Sequence, residues 1–121
     1  MSAGVDLFRR IACELPGAVE SAHMGHPDFR VHGRIFATLS GVARGRGVLK
    51  LTVEQQAAFV AEMPEVFEPV QGGWGRIGMT YIALDRADEP TMRGALATAH
   101  RNVEAKQQAG RKKTGANVKH K

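Results

Sequence analysis

Apolar residues recur at Val5, Phe8, Ile11, Ala12 and Leu15, a spacing that lines up one stripe and predicts a helix over residues 5–15. Asp6 suits its first turn, and Pro16-Gly17 ends it. The period then changes. Residues 19–24 read as a short strand. Residues 28–31 and 34–39 read as two more, joined by a tight His32-Gly33 turn in which Gly33 supplies the positive φ. Residues 40–47 (Ser-Gly-Val-Ala-Arg-Gly-Arg-Gly) read as a flexible connection presenting Arg44 and Arg46, and 48–51 as a strand. Thr52 and Gln55 form a capping box for a helix over 53–62, expected to bury Val53, Ala57 and Val60 and to stop at Pro64. A brief extended piece over 67–70 leads into a loop over 71–75, with three glycines around the only tryptophan, Trp74. In residues 79–84, Thr80, Ile82 and Leu84 alternate against Met79, Tyr81 and Ala83, as a strand requires. Asp88, Glu89 and Pro90 then open a last helix with a single stripe of Met92, Leu96, Ala99 and Val103, expected to end near Gln107 or Gln108.

Helix, strands, helix, strands, helix is the order of an α+β domain: one sheet, mainly antiparallel because the strand connections are short, with helices packed on it. A chain of 121 residues holds one such core. Charge divides it unevenly. Residues 1–105 carry 11 basic and 12 acidic side chains, whereas residues 106–121 carry six basic ones and no acid, so the net +5 belongs to the end of the chain. The domain is therefore expected over 1–105, followed by a basic tail over 106–121 too poor in apolar residues to order itself by burial. A single cysteine, Cys13, allows no internal disulfide. The N-terminus meets Asp6, Arg9 and Arg10 before any apolar run, and no stretch approaches a membrane span, so a cytoplasmic protein is expected.

The chain resembles the MmcQ/YjbR family. The resemblance rests on Leu15-Pro16-Gly17 with Glu20, on Gly25-His26-Pro27 with Phe29-Arg30-Val31, and on Gly33-Arg34 with Phe36-Ala37. It continues through the helix after Leu51, Pro64-Glu65-Val66-Phe67, Gly73-Trp74 and the Asp88-Glu89 helix start, so it covers the whole expected body. It implies an α+β fold like that of secretion chaperones and a DNA-binding role through a double-wing surface. The basic tail lies outside it.

Catalytic chemistry finds no constellation. Cys13, Ser21 and Ser40 fall in a helix, near a strand and in a loop, with no base and orienting group in a recognisable pattern around any of them. Cys13 reads as a small, partly buried helix residue, and no enzyme activity is expected. His23, His26 and His32 lie at spacings of three and six without cysteine partners, which matches no zinc pattern. His26 and His32 read as turn or surface residues, and no metal or other cofactor is expected. His100 falls just outside the last helix's stripe, where it caps the packing.

Two functional readings remain, from different classes, and the first is the expected one because the resemblance and the basic tail point the same way. In the first the chain is a non-enzymatic DNA-binding protein. Arg30 and Arg34 of the hairpin, Arg44 and Arg46 of the glycine-rich loop, and Arg76 meet phosphates, Trp74 stacks on or wedges at bases, and Arg111, Lys112 and Lys113 of the tail add sequence-blind affinity. This reading requires the five arginines to converge on one face. In the second the chain is a protein-interaction module resembling a secretion chaperone, using an exposed apolar sheet or groove surface with Met24, Met79 and Trp74 in it.

Overall fold

In the computed structural model, which describes the backbone of residues 3–119 and the side chains of residues 3–106, the first apolar stripe becomes the buried face of α1 (Ala3–Glu14). Six strands follow: β1 (Val19–His23), β2 (His26–Val31), β3 (Arg34–Thr38), β4 (Arg46–Lys50), β5 (Phe67–Pro69) and β6 (Met79–Ala83). They form one sheet in the order β1-β2-β3-β4-β6-β5, antiparallel at every pairing. Between β4 and β5 lies α2 (Val53–Glu62), between β5 and β6 the short α3 (Gly73–Arg76), and after β6 comes α4 (Glu89–Lys119).

Register decides what each face of the sheet does. Phe29, Ala37, Leu49 and Thr80 sit opposite one another across four strands and point to one side, all buried. The α4 stripe of Met92, Leu96, Ala99 and Val103 and the α1 stripe of Val5, Phe8, Ile11 and Ala12 close over that side as a single core. Phe8 meets Phe29 edge-on with ring centres 5.9 Å apart. Between Phe29 and Arg30 the β2–β3 register slips, and Phe36 is the unpaired residue of the resulting bulge. The slip turns both Phe36 and Ala37 into the core, and Phe36 then packs edge-on against His100 at 5.3 Å. His100 is itself buried, with its Nε2 2.7 Å from the Pro16 carbonyl oxygen. It is thus part of the packing, holding the end of α1 to α4.

Several expectations need correction. Helix α2 has the expected span and capping box, Thr52 Oγ1 accepting from the Gln55 amide at 3.1 Å and Gln55 Oε1 accepting from the Thr52 amide at 3.0 Å. Its buried face, however, is not Val53, Ala57 and Val60. Val53 and Ala57 are exposed, Val60 is half-buried, and Gln56 is the buried residue. The cause is position: α2 sits at the β5 end of the sheet, where Phe59 stacks on Phe67 at 5.0 Å and only a narrow face of the helix meets protein. The glycine-rich connection is built rather than loose, with a 3-10 turn over Val42–Arg44 closed by Gly45 and Arg46 amides donating to the Val42 and Gly41 carbonyls. Arg46 accordingly belongs to β4. The loop around Trp74 contains the α3 turn, and Cys13 is exposed. Helix α4 is assigned past Gln107 to Lys119, while the expected basic tail over 106–121 falls, beyond Lys106, outside the described side chains.

Candidate interaction surface

One residue out of register from the core row, a second row crosses the whole sheet: Ser21, Asp28, Thr38, Val48, Tyr81 and Glu68. It points to the side that α1 and α4 do not cover, and its neighbours there, Ile35, Lys50 and Met79, are half-buried or exposed. A groove of about 540 Å³ runs along this face. Its floor is Ile35, Val48, Met79 and Tyr81, and α3 raises one wall, on which Trp74 and Ile77 are 66% and 62% exposed. His23, Thr38 and Ser40 form the opposite rim, with the Thr38 and Ser40 hydroxyls 2.8 Å apart. Two large apolar side chains standing in solvent beside an apolar trough are the feature that needs a functional account.

The wall is held from behind. Buried Gln56 directs its Nε2 at the carbonyls of Gly75 and Met79, both at 3.0 Å, and at Thr80 Oγ1 at 3.3 Å. Thr80 Oγ1 in turn donates to the Gly78 carbonyl at 2.8 Å. Gly75 is required by space: a Cβ there would run into the Val70 carbonyl, so only glycine lets α3 sit this close to the chain leaving β5. Gln56 is therefore a positioning residue for the Trp74 turn. Nothing in the α2 pattern marks it, because a glutamine on a helix reads as a solvated position.

The arginines expected to share one face are gathered only in part. Arg30 lies on the uncovered face but makes two hydrogen bonds to buried Asp28, 2.9 and 3.1 Å, which strengthen its hold on its proton. Arg46 is on the same face, paired with Glu68 at 2.8 Å and stacked over Tyr81 at 5.1 Å. Arg44 stands on the 3-10 turn at a cleft of about 310 Å³ that Arg46 and Arg86 also line, together with Glu65, Glu68 and Asp85. Arg34 sits at the far end of the strands, beside Asn102 and Lys106 on α4. The β3–β4 register separates it from Arg46 by roughly 20 Å, at about 3.3 Å per residue along the strand. Arg76 is exposed on α3. Arg111, Lys112 and Lys113 lie outside the described side chains.

Of the residues expected in an interaction surface, Trp74 and Met79 meet in the groove, whereas Met24 is exposed on the β1–β2 turn next to His23. His32 occupies the hairpin turn with φ 55° and faces Glu104 at 3.4 Å. Among the described residues no cluster of three or more histidine, cysteine or acidic side chains is placed to hold a metal. Cys13 Sγ lies 3.8 Å from Glu20, and slight desolvation of the sulfur against the helix surface together with that carboxylate raises the pKa of this exposed thiol, which works against a thiolate nucleophile. No described helix is long and apolar enough to cross a membrane.

Comparison with known proteins agrees with this architecture. Among curated proteins none matches the chain. A crystal structure of a Deinococcus radiodurans protein with a DUF419 domain superposes with a TM-score of 0.73 at 21% identity, over 92% of this chain and 87% of the other, a likeness of fold. The YjbR family model matches residues 13–102, from the end of α1 through the sheet and along the α4 stripe, and by that match the chain belongs to the YjbR family.

Proposed function

We propose that this protein is a protein-interaction module whose uncovered sheet face holds an apolar segment of a partner. The observation that carries the reading is the pair Trp74 and Ile77, both about two-thirds exposed on the wall of a groove with an apolar floor. Tryptophan in such a setting supplies a large contact area at low entropic cost, and a thioether such as Met79 adapts to what lies against it. Charge narrows the partner. Lys50 lines the groove and has no carboxylate partner among the described residues, and Arg34 lines a neighbouring cleft together with Lys50. At the other end Arg46 is already matched by Glu68. The segment that fits carries two or three large apolar side chains and an acidic residue at the Lys50 end.

DNA is the weaker fit. Phosphate contacts need free cations gathered on one surface. Here Arg30 and Arg46 are spent on Asp28 and Glu68, Arg44 shares its cleft with three carboxylates, and Arg34 lies roughly 20 Å along the sheet from Arg46. The test uses the single tryptophan as reporter. Nine-residue peptides with two fixed apolar positions and either acidic or basic flanks are titrated against the full chain, and Trp74 emission is followed. A blue shift favouring acidic flanks, with the preference reversed in Lys50→Glu, is the expected result. No shift with any peptide, or a preference for basic flanks, overturns the reading. A salt-sensitive change on adding a 20-base-pair duplex, with no response to peptides, replaces it with DNA binding.

A further inference from the structure

The two edges of the sheet are unlike. At one, β5 is a three-residue strand. At the other, β1 is five residues long, exposed throughout, and carries no proline, lysine or bulge, the usual devices that keep an edge from pairing. Its one charge, Glu20, is held to one side by an exposed ion pair with Arg9 at 2.8 Å.

The backbone of that edge has a definite pattern. Met24 and Gly25, with φ of 52° and 82°, form a two-residue turn that makes His23 and His26 the closing pair of the β1–β2 hairpin. That pair exchanges both its hydrogen bonds, and alternation along an antiparallel ladder then turns His23, Ser21 and Val19 toward β2. The Pro27 carbonyl confirms the phase from the other strand, since it accepts from the Leu39 amide and so faces away from β1. The amides and carbonyls of Glu20 and Ala22 therefore point outward from the sheet, with no partner among the described residues.

We infer that β1 is a self-pairing edge, joining two copies of this chain antiparallel about a two-fold axis at Ser21. That register sets Glu20 against Ala22 of the second copy, and Ala22 against Glu20. Every outward amide and carbonyl of both strands then gains a partner, in four hydrogen bonds flanking a close Ser21–Ser21 pair. Side chains agree. Val19, 62% exposed, comes opposite His23 on the uncovered face, and Glu20 meets the small Ala22 on the face nearer α1. Of the two neighbouring symmetric registers, the one centred on Glu20 would oppose two like charges and the one centred on Ala22 would set Glu20 against Met24 of the turn, which is not extended, so the Ser21 centre is favoured. Pairing of this kind makes one continuous sheet with both uncovered faces on the same side, so that two grooves share one surface. The inference stands independently of what the groove binds.

Sedimentation velocity of the full chain from micromolar to millimolar concentration tests it, with two opposite charges placed at exposed Ala22. The wild type is expected to reach twice the monomer mass with rising concentration. Ala22→Glu puts two like-charge pairs across the axis and should weaken the dimer roughly tenfold, at up to about 1 kcal/mol per pair. Ala22→Lys puts two opposite-charge pairs there and should leave the dimer as strong or stronger. A monomer throughout the range overturns the inference. So does a dimer that the two substitutions affect alike, which would place the contact elsewhere.

Discussion

The sheet carries two rows of side chains one residue apart, and they have different surroundings. Phe29, Ala37, Leu49 and Thr80 lie under two helices and are sealed. Asp28, Thr38, Val48 and Tyr81 belong to the same four strands, but among the described residues α3 is the helix beside them; Asp28 and Val48 are buried by their neighbours on the face, and Thr38 and Tyr81 stay half-buried. The covered row is nearly uniform in chemistry because burial admits little else. The uncovered row mixes an ion pair, hydroxyls, a tyrosine and aliphatic groups, and its polar members are satisfied within the face: Asp28 by Arg30, Glu68 by Arg46, Thr38 by Ser40. A sheet with one side free can spend that side on recognition, since stability is supplied by the other.

The sharpest way to break the contrast is from the covered side. Leu96 is fully buried between α4 and the sheet, so Leu96→Ala should cost about 2–5 kcal/mol in a urea titration. A loss below 1 kcal/mol would mean that the α4 stripe does not carry the core. Next comes Gln56, which belongs to neither row but fixes the wall of the groove. Gln56→Leu keeps the volume and removes one donor from each of the Gly75 and Met79 carbonyls, which retain the Gly78 and Val70 amides, for an expected cost of about 0.5–1.5 kcal/mol. Its distinguishing readout is Trp74 emission, which should change in the folded variant because the turn loses its anchor. Unchanged emission at reduced stability would make Gln56 merely structural.

The covered side was also the legible one. Its helices announce themselves by spacing: Val5, Phe8, Ile11 and Ala12, and Met92, Leu96, Ala99 and Val103, are all buried as their period demands. The strands showed through alternation, and the Thr52–Gln55 capping box marks the start of α2 to the residue. What stayed hidden depended on contacts distant in sequence. Val53 and Ala57 fit a helical stripe, but α2 lies at the rim, where no partner covers that stripe. Gln56 looks like a surface glutamine until residues nineteen and more positions away bring their carbonyls to it. The arginines illustrate the same limit. Arg30 and Asp28 are two apart on one strand, a spacing that places them side by side on a single face, and only the register shows that their pairing uses up both charges. Trp74 was legible as a candidate; the groove beside it was not, because its floor comes from three strands.

Smaller effects sharpen the comparison between groups that are held and groups that are free. Arg30→Met strips buried Asp28 of its partner, so stability should fall, by less than for Gln56→Leu because Arg30 is partly open to water. Equal stability of wild type and variant would mean that Asp28 is satisfied without the guanidinium. Asp88, on the covered layer but exposed, caps α4 by accepting from the Thr91 amide at 2.9 Å, and hydrogen bonding from the Thr91 side chain and amide holds its carboxyl below the usual carboxylate range. A depressed folded-state pKa means the stabilisation is present in full above the unfolded value and fades as pH falls through the folded one. The Tm difference between wild type and Asp88→Ala should therefore be constant near neutral pH and shrink below about pH 4. A difference that persists unchanged into strong acid would assign the effect to helix propensity rather than to the carboxylate.

The smallest effect on folding is expected where the effect on recognition is largest. Trp74 is 66% exposed and anchors no core residue, so Trp74→Ala should shift the unfolding free energy by no more than about 0.5 kcal/mol. A core tryptophan would cost several times that. The same substitution removes the tallest part of the groove wall and should abolish binding of acidic-flanked apolar peptides, followed now by anisotropy of a labelled peptide because the intrinsic reporter is gone. Stability retained with binding lost would separate the two rows of the sheet into a folding face and a recognition face. A large loss of stability would show instead that Trp74 packs against the sheet in solution, and the groove would then be an edge of the core.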